Sequence, residues 1–92
     1  MTLEELAIKC NTEEFNKLKL LEEFHECGEL LVKTLTKSKD QHDIPHLIEE
    51  LGDVIVRANI VAEILGRDKV DARIAYKKDM LMKHYNNKLK RV

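Results

Sequence analysis

Apolar residues recur at three- and four-residue steps through three long runs of this chain, the spacing that lines one face of an α-helix. In the first run Phe15, Leu18, Leu21, Phe24 (with Leu20), Cys27, Leu31 and Leu35 form a stripe. Asn11 followed by Glu14 reads as a capping box, and Glu13 and Glu14 suit the positive end of a helix dipole, so a helix is expected from there to about Lys37. Ser38 to Asp43 is polar and aperiodic, which predicts a loop. Asp43-Ile44-Pro45 supplies a cap and a first-turn proline, predicting a second helix over about Pro45 to Leu65. Gly66 is the natural stop, and Asp68 can cap a third helix with Val70, Ile74, Leu81, Tyr85 and Leu89 as its buried candidates. Met1 to Cys10, with Leu3, Leu6 and Ile8 among acidic residues, predicts a short amphipathic turn or helix docked on the main body.

The second helix is apolar on more than one side. Leu47, Leu51, Val54, Ala58, Val61 and Leu65 make one stripe, and Ile48, Ile55 and Ala62 another. Such a helix needs several neighbours, so the expected fold is an all-α antiparallel helical bundle completed by oligomerisation, with residues 1–92 as one domain. Composition agrees: aromatics are 4% and charged residues 36%, with one Pro and three Gly, which suits helices better than a sandwich or barrel. The formal net charge of −1 provides no global basic field, so no nucleic-acid partner is expected. No apolar run approaches the roughly 20 residues that span a bilayer, and no membrane association is expected. Cys10 and Cys27 lack any metal-ligand or redox spacing and read as reduced thiols, Cys27 within the core, so a soluble cytoplasmic protein is expected.

Acidic residues interrupt both central stripes. Glu26-Cys27-Gly28-Glu29 and Glu50-Leu51-Gly52-Asp53 each hold two carboxylates three residues apart, on one helix face and about one turn from each other. Glu22 and His25 extend the first face, while His46, Glu49 and Arg57 extend the second. Packed side by side, such helices gather carboxylates that repel unless solvated, protonated or neutralised by cations, and an all-oxygen set favours a hard ion such as Mg²⁺ or Mn²⁺ over zinc. Gly28 within a helix costs about 1 kcal/mol relative to Ala, which fits either close approach of a neighbour or a tolerated small residue.

The run His25-Glu26-Cys27-Gly28-Glu29-Leu30, a polar loop, and then Leu47-Ile48-Glu49-Glu50-Leu51-Gly52-Asp53-Val54 resembles the MazG-like all-α nucleoside triphosphate pyrophosphohydrolases, which carry an EExxE segment followed by ExxD. The resemblance implies Mg²⁺ held by Glu26, Glu29, Glu50 and Asp53. It also implies hydrolysis of a (d)NTP to the monophosphate and pyrophosphate, in a homodimer or dimer of dimers, as in nucleotide-pool house-cleaning. His25 stands at the family's first glutamate. A second register, with EExxE as Glu22, Glu23 and Glu26, matches the letters as well, but the residues flanking Glu26 and Glu29 favour the first. Glu22 or Glu49 is a candidate general base or further ligand. Of the family's final-helix lysine and arginine, Lys77 fits while Met80 departs, so Lys77 and Lys83, with Arg57, are the candidate phosphate contacts.

Plainer readings accompany each feature. An acidic stripe is usually a solvated face, Arg57 one turn from Asp53 a salt bridge, His46 a surface residue and the lysines after Lys77 a solubilising face. What favours the sharper reading is that both acidic pairs lie on consecutive helices beside core positions. Two other classes compete. Glu22-x-x-His25 has the spacing of a di-iron carboxylate bundle, although the other four acids would then be surplus. A non-enzymatic helical oligomerisation module would leave the acids on the surface or against a basic partner.

Overall fold

A computed structural model describes residues 1–36 and 43–91, and among these it contains four α-helices and no strand. Helix α1 spans Leu3–Cys10, α2 Glu13–Thr36, α3 Asp43–Leu65 and α4 Arg67–Lys90. The all-α expectation is met, and the short N-terminal segment is a true helix. The predicted loop from Ser38, and Lys37 before it, lie outside the described residues up to the start of α3.

The helix boundaries have local causes. Thr2 Oγ1 accepts from the Glu5 N–H at 3.1 Å and so opens α1. The second helix is capped by Thr12 rather than Asn11, since Thr12 Oγ1 accepts from the Phe15 N–H at 3.1 Å. Phe15, not Glu14, therefore stands at the third helical position, and the expected capping box does not form. Asn11 instead closes α1, donating its N–H to the Ala7 carbonyl at 3.2 Å. Gly66 alone separates α3 from α4, at φ 115°, a conformation that a side chain would strain. It donates to the Ala62 carbonyl, and its own carbonyl accepts from Lys69 and Val70, so Asp68 lies in the first turn of α4 and not at its cap.

Helices α2 and α3 make the main contact, α1 lies against both, and α4 meets only α3. The buried apolar residues are Cys27 and Leu30 on α2 and Ile60, Val61 and Ala62 on α3. On α2 the packed ridge is Asn16, Leu20, Glu23, Cys27, Leu30 and Thr34, all buried or half-buried. The stripe expected to be buried, apart from Leu20 and Cys27, faces outward: Leu21 is 63% exposed, Phe24 52% and Leu35 83%. Ile48, Leu51 and Ile55 on α3 are likewise exposed. On α4, Val70 and Leu81 are half-buried, whereas Ile74, Tyr85 and Leu89 are exposed. An added Cβ at Gly28 would meet nothing within 4 Å, so no neighbouring helix of this chain uses its small size.

Asn16 ties the N-terminal helix down. Only 1% exposed, it donates through Nδ2 to the carbonyls of Ala7 and Thr12, each at 3.2 Å. Replacing it with Ala is expected to cost about 1 kcal/mol, because both carbonyls keep a backbone donor. Asn16→Asp is expected to cost more, about 2–3 kcal/mol, by setting a carboxylate against two carbonyl oxygens. Urea unfolding at one protein concentration measures both, and equal losses would contradict this placement of the amide.

Candidate metal centre

The antiparallel packing of α2 on α3 sets Glu23 and Glu26 of one helix against Glu50 of the other. One carboxylate oxygen from each lies within 4.8 Å of the other two. The cause is the register that seats Cys27 and Leu30: Glu23 is four residues before Cys27 on the same ridge, and Glu26 lies four before Leu30. Glu50 has a side chain only 12% exposed. Its Oε2 and that of Glu23 are buried without any hydrogen-bond partner among the described residues. His46 Nε2, one turn back, lies 3.5 Å from Glu50 Oε1.

This crowding moves the Glu50 carboxyl above the usual glutamate range. Burial contributes most, followed by hydrogen bonding with and repulsion from Glu26, then the same from Glu23. The protonated form is favoured because the native environment offers the anion too little water and too much negative charge.

An open cavity flanks the trio on each side. The larger, about 550 Å³, lies under α1 and is walled by Leu3, Leu6, Cys10, Val56 and Ile60, with Glu23, Asp53 and Arg57 at its polar edge. The other, about 350 Å³, is lined by Glu26, Glu29, Leu30, Lys33, His46 and Glu50. Of the four carboxylates expected to hold metal, Glu26 and Glu50 are thus in the trio, Asp53 borders it on the α1 side and Glu29 on the other. Glu29 is held by His25, whose Nε2 lies 3.0 Å from Glu29 Oε1.

The remaining candidates stand apart. Glu22 pairs with Lys19 at 3.3 Å and is half exposed, and Glu49 is exposed; neither lines the two cavities. The Glu22 and His25 pair of the di-iron reading is therefore not assembled with the trio. Lys77 lines a separate cavity on α4 with Arg73, Ile74, Lys78 and Leu81, and Lys83 pairs with Asp79 at 3.0 Å. Within one chain only Arg57 of the expected phosphate contacts borders the acids. Glu23 is the residue that the preferred motif register leaves out. Its signal was present in the second register, Glu22-Glu23-x-x-Glu26, and in its place on the ridge that contains Cys27 and Leu30.

The donor set suits a hard divalent cation. Three carboxylates supply only oxygen, and two of their Oε2 atoms are acceptors with no hydrogen-bond donor among the described residues. No protein-family model, curated protein or solved structure matches the chain. The likeness to the MazG-like enzymes therefore rests on the residues of the two acidic helices alone.

A carboxyl whose pKa is raised on folding favours the native state below its unfolded range, and that contribution is lost as pH rises through the raised value. The metal-free chain is therefore expected to lose stability as pH climbs above the ordinary glutamate range. Glu50→Gln should flatten the slope and melt higher than the wild type at about pH 8. Thermal melts in chelator from about pH 4 to 8 check this; parallel profiles for the two proteins would mean that Glu50 does not face Glu23 and Glu26.

Proposed function

We propose that the chain is a divalent-metal-dependent nucleoside triphosphate pyrophosphohydrolase, converting a (d)NTP and water to the monophosphate and pyrophosphate. The observation that supports this reading most is the trio Glu23, Glu26 and Glu50, drawn from two antiparallel helices and short of positive partners. These residues, with Asp53 and Glu29 at the borders, would hold Mg²⁺ or Mn²⁺. The ion when bound would offset triphosphate charge and acidify water beside the α-phosphorus. The apolar walls under α1 can shelter a base or sugar, with Asp53 and Arg57 where that cavity meets the acids. Water oxygen bonds to the α-phosphorus, the bond to the bridging oxygen breaks, and pyrophosphate departs as the water loses a proton. Asp53 lines the cavity under α1 whereas Glu22 and Glu49 line neither cavity, so an Asp53 not engaged by the ion is the better candidate to receive that proton.

A homodimer or dimer of dimers belongs to the same reading. Leu21, Phe24, Gly28, Leu31 and Leu35 on α2, and Ile44, Ile48, Leu51 and Ile55 on α3, follow three- and four-residue steps. Apart from the half-buried Gly28, all are exposed. Stripes with this repeat on antiparallel helices are the seams of four-helix bundles, and a second copy would cover them. The same exposed seam favours the oligomerisation module as the competing reading, in which no metal effect or hydrolysis is expected.

One measurement tests the seam that both readings share, and two separate them. Sedimentation is expected to show an oligomer that Ile55→Lys dissociates; a monomeric wild type at micromolar concentration would remove the seam argument. Mg²⁺ or Mn²⁺ is expected to raise the melting temperature of the wild type but not of Glu26→Gln, while that variant keeps its fold. A panel of nucleoside triphosphates hydrolysed with Mg²⁺ in ¹⁸O-labelled water should place label in the monophosphate. Release of orthophosphate and a diphosphate would overturn the assignment, and absence of both hydrolysis and metal stabilisation would favour the module.

A further inference from the structure

The two cavities beside the carboxylates differ in chemistry, and the smaller one is lined by a cation, Lys33, without an ion-pair partner among the described residues. Lys33 lies four residues after Glu29, the spacing at which a glutamate and a lysine pair on a helix surface. Here Glu29 turns to His25 instead, and Lys33 has no ion-pair partner among the described residues. Lys33 nevertheless lines the cavity of about 350 Å³ together with His46, Glu26 and Glu50. The cavity on the far side of the trio is mostly apolar, with Arg57 as its single cationic side chain.

We propose that Lys33, assisted by His46, forms the subsite for the departing pyrophosphate, so that a nucleoside triphosphate lies along the groove with its base under α1 and its outer phosphates at the α2 C-terminal end. This rests on the pyrophosphohydrolase reading and fixes the direction of the substrate within it. An ammonium at this place meets charge that grows on the β-phosphate as the anhydride bond breaks, which favours the transition state over bound substrate. His46 adds an N–H donor to the wall. Lys77 and Lys83, expected from the sequence to do this, lie on a helix that touches only α3 and borders neither cavity.

Calorimetric titration of the full chain with inorganic pyrophosphate and with a nucleoside monophosphate, each in excess Mg²⁺, tests the assignment. Lys33→Gln is expected to weaken pyrophosphate binding about tenfold or more, the effect of losing one charge-assisted contact, and Lys33→Arg to recover most of it. Monophosphate binding and the Mg²⁺-induced rise in melting temperature should be unchanged in Lys33→Gln, which separates a lost phosphate contact from a damaged fold or metal site. Unchanged pyrophosphate affinity in Lys33→Gln, or an equal loss of monophosphate affinity, would overturn the subsite while the hydrolase reading stands. A wild type that binds neither ligand in the presence of Mg²⁺ would overturn both.

Discussion

The contact on which the rest depends is the meeting of three carboxylates across the α2 and α3 seam. Glu23, Glu26 and Glu50 bring a carboxyl oxygen each within 4.8 Å of the other two, and two of their oxygens are buried without a donor among the described residues. The Glu50 side chain is largely buried and Glu23 half-buried while Glu26 is exposed, and a chain selected only to pack would place apolar residues at the covered positions. The adjoining core positions Cys27 and Leu30 hold the helices in the register that enforces this proximity. Packing therefore sustains an electrostatic strain, and a local conflict of that kind inside an otherwise consistent helix pair is characteristic of sites that bind something.

Much of the fold was legible because helical periodicity is a long-range signal. The three long helices follow from spacing, the break between the last two from Gly66, and the N-terminal stretch was legible as a short amphipathic turn or helix. Less legible was which stripe of α2 faces inward. Its outer stripe is more apolar than its inner ridge, which contains Asn16, Glu23 and Thr34. Counting hydrophobic residues thus points to the wrong face, since Asn16 is buried with its amide N–H donating to two carbonyls and Glu23 joins the acidic seam. The capping error at Asn11 has a similar origin. Asn11 and Thr12 are both good caps, and only the position of the preceding helix decides between closing α1 and opening α2.

The site was legible as an acidic pattern and less so as a geometry. Glu26 and Glu50 were singled out and do meet, but the third member of the trio came from the register that the flanking residues disfavoured. Motif letters report position along one helix. The partner of each carboxylate depends on how two helices slide past each other, which the core residues set. The same reasoning explains Lys33: along the sequence it is an ordinary partner for Glu29, and the pairing of Glu29 with His25 leaves it without an ion pair among the described residues.

Among the described residues five apolar ones are buried, a small core, and α4 contributes none of them. An isolated helix of 24 residues is marginal in water, so α4 draws its stability from α3 and from whatever covers its remaining length. One fixed point is the Asn59 side chain, whose Oδ1 accepts from Arg67 Nη1 at 3.1 Å, while Arg67 also pairs with Asp71 at 2.7 Å. These contacts anchor the base of α4 beside Gly66 and leave its cationic outer half extended from the acidic pair. Opposite net charges thus occupy separate parts of one chain: α4 carries eight Lys and Arg against three Asp, while α2 and α3 together carry eleven acidic against four basic residues. Separation of that kind places the repulsive groups where α1, α2 and α3 can hold them together, and among the described residues Arg57 lines the cavity under α1 while Lys33 lines the one on the other side of the trio.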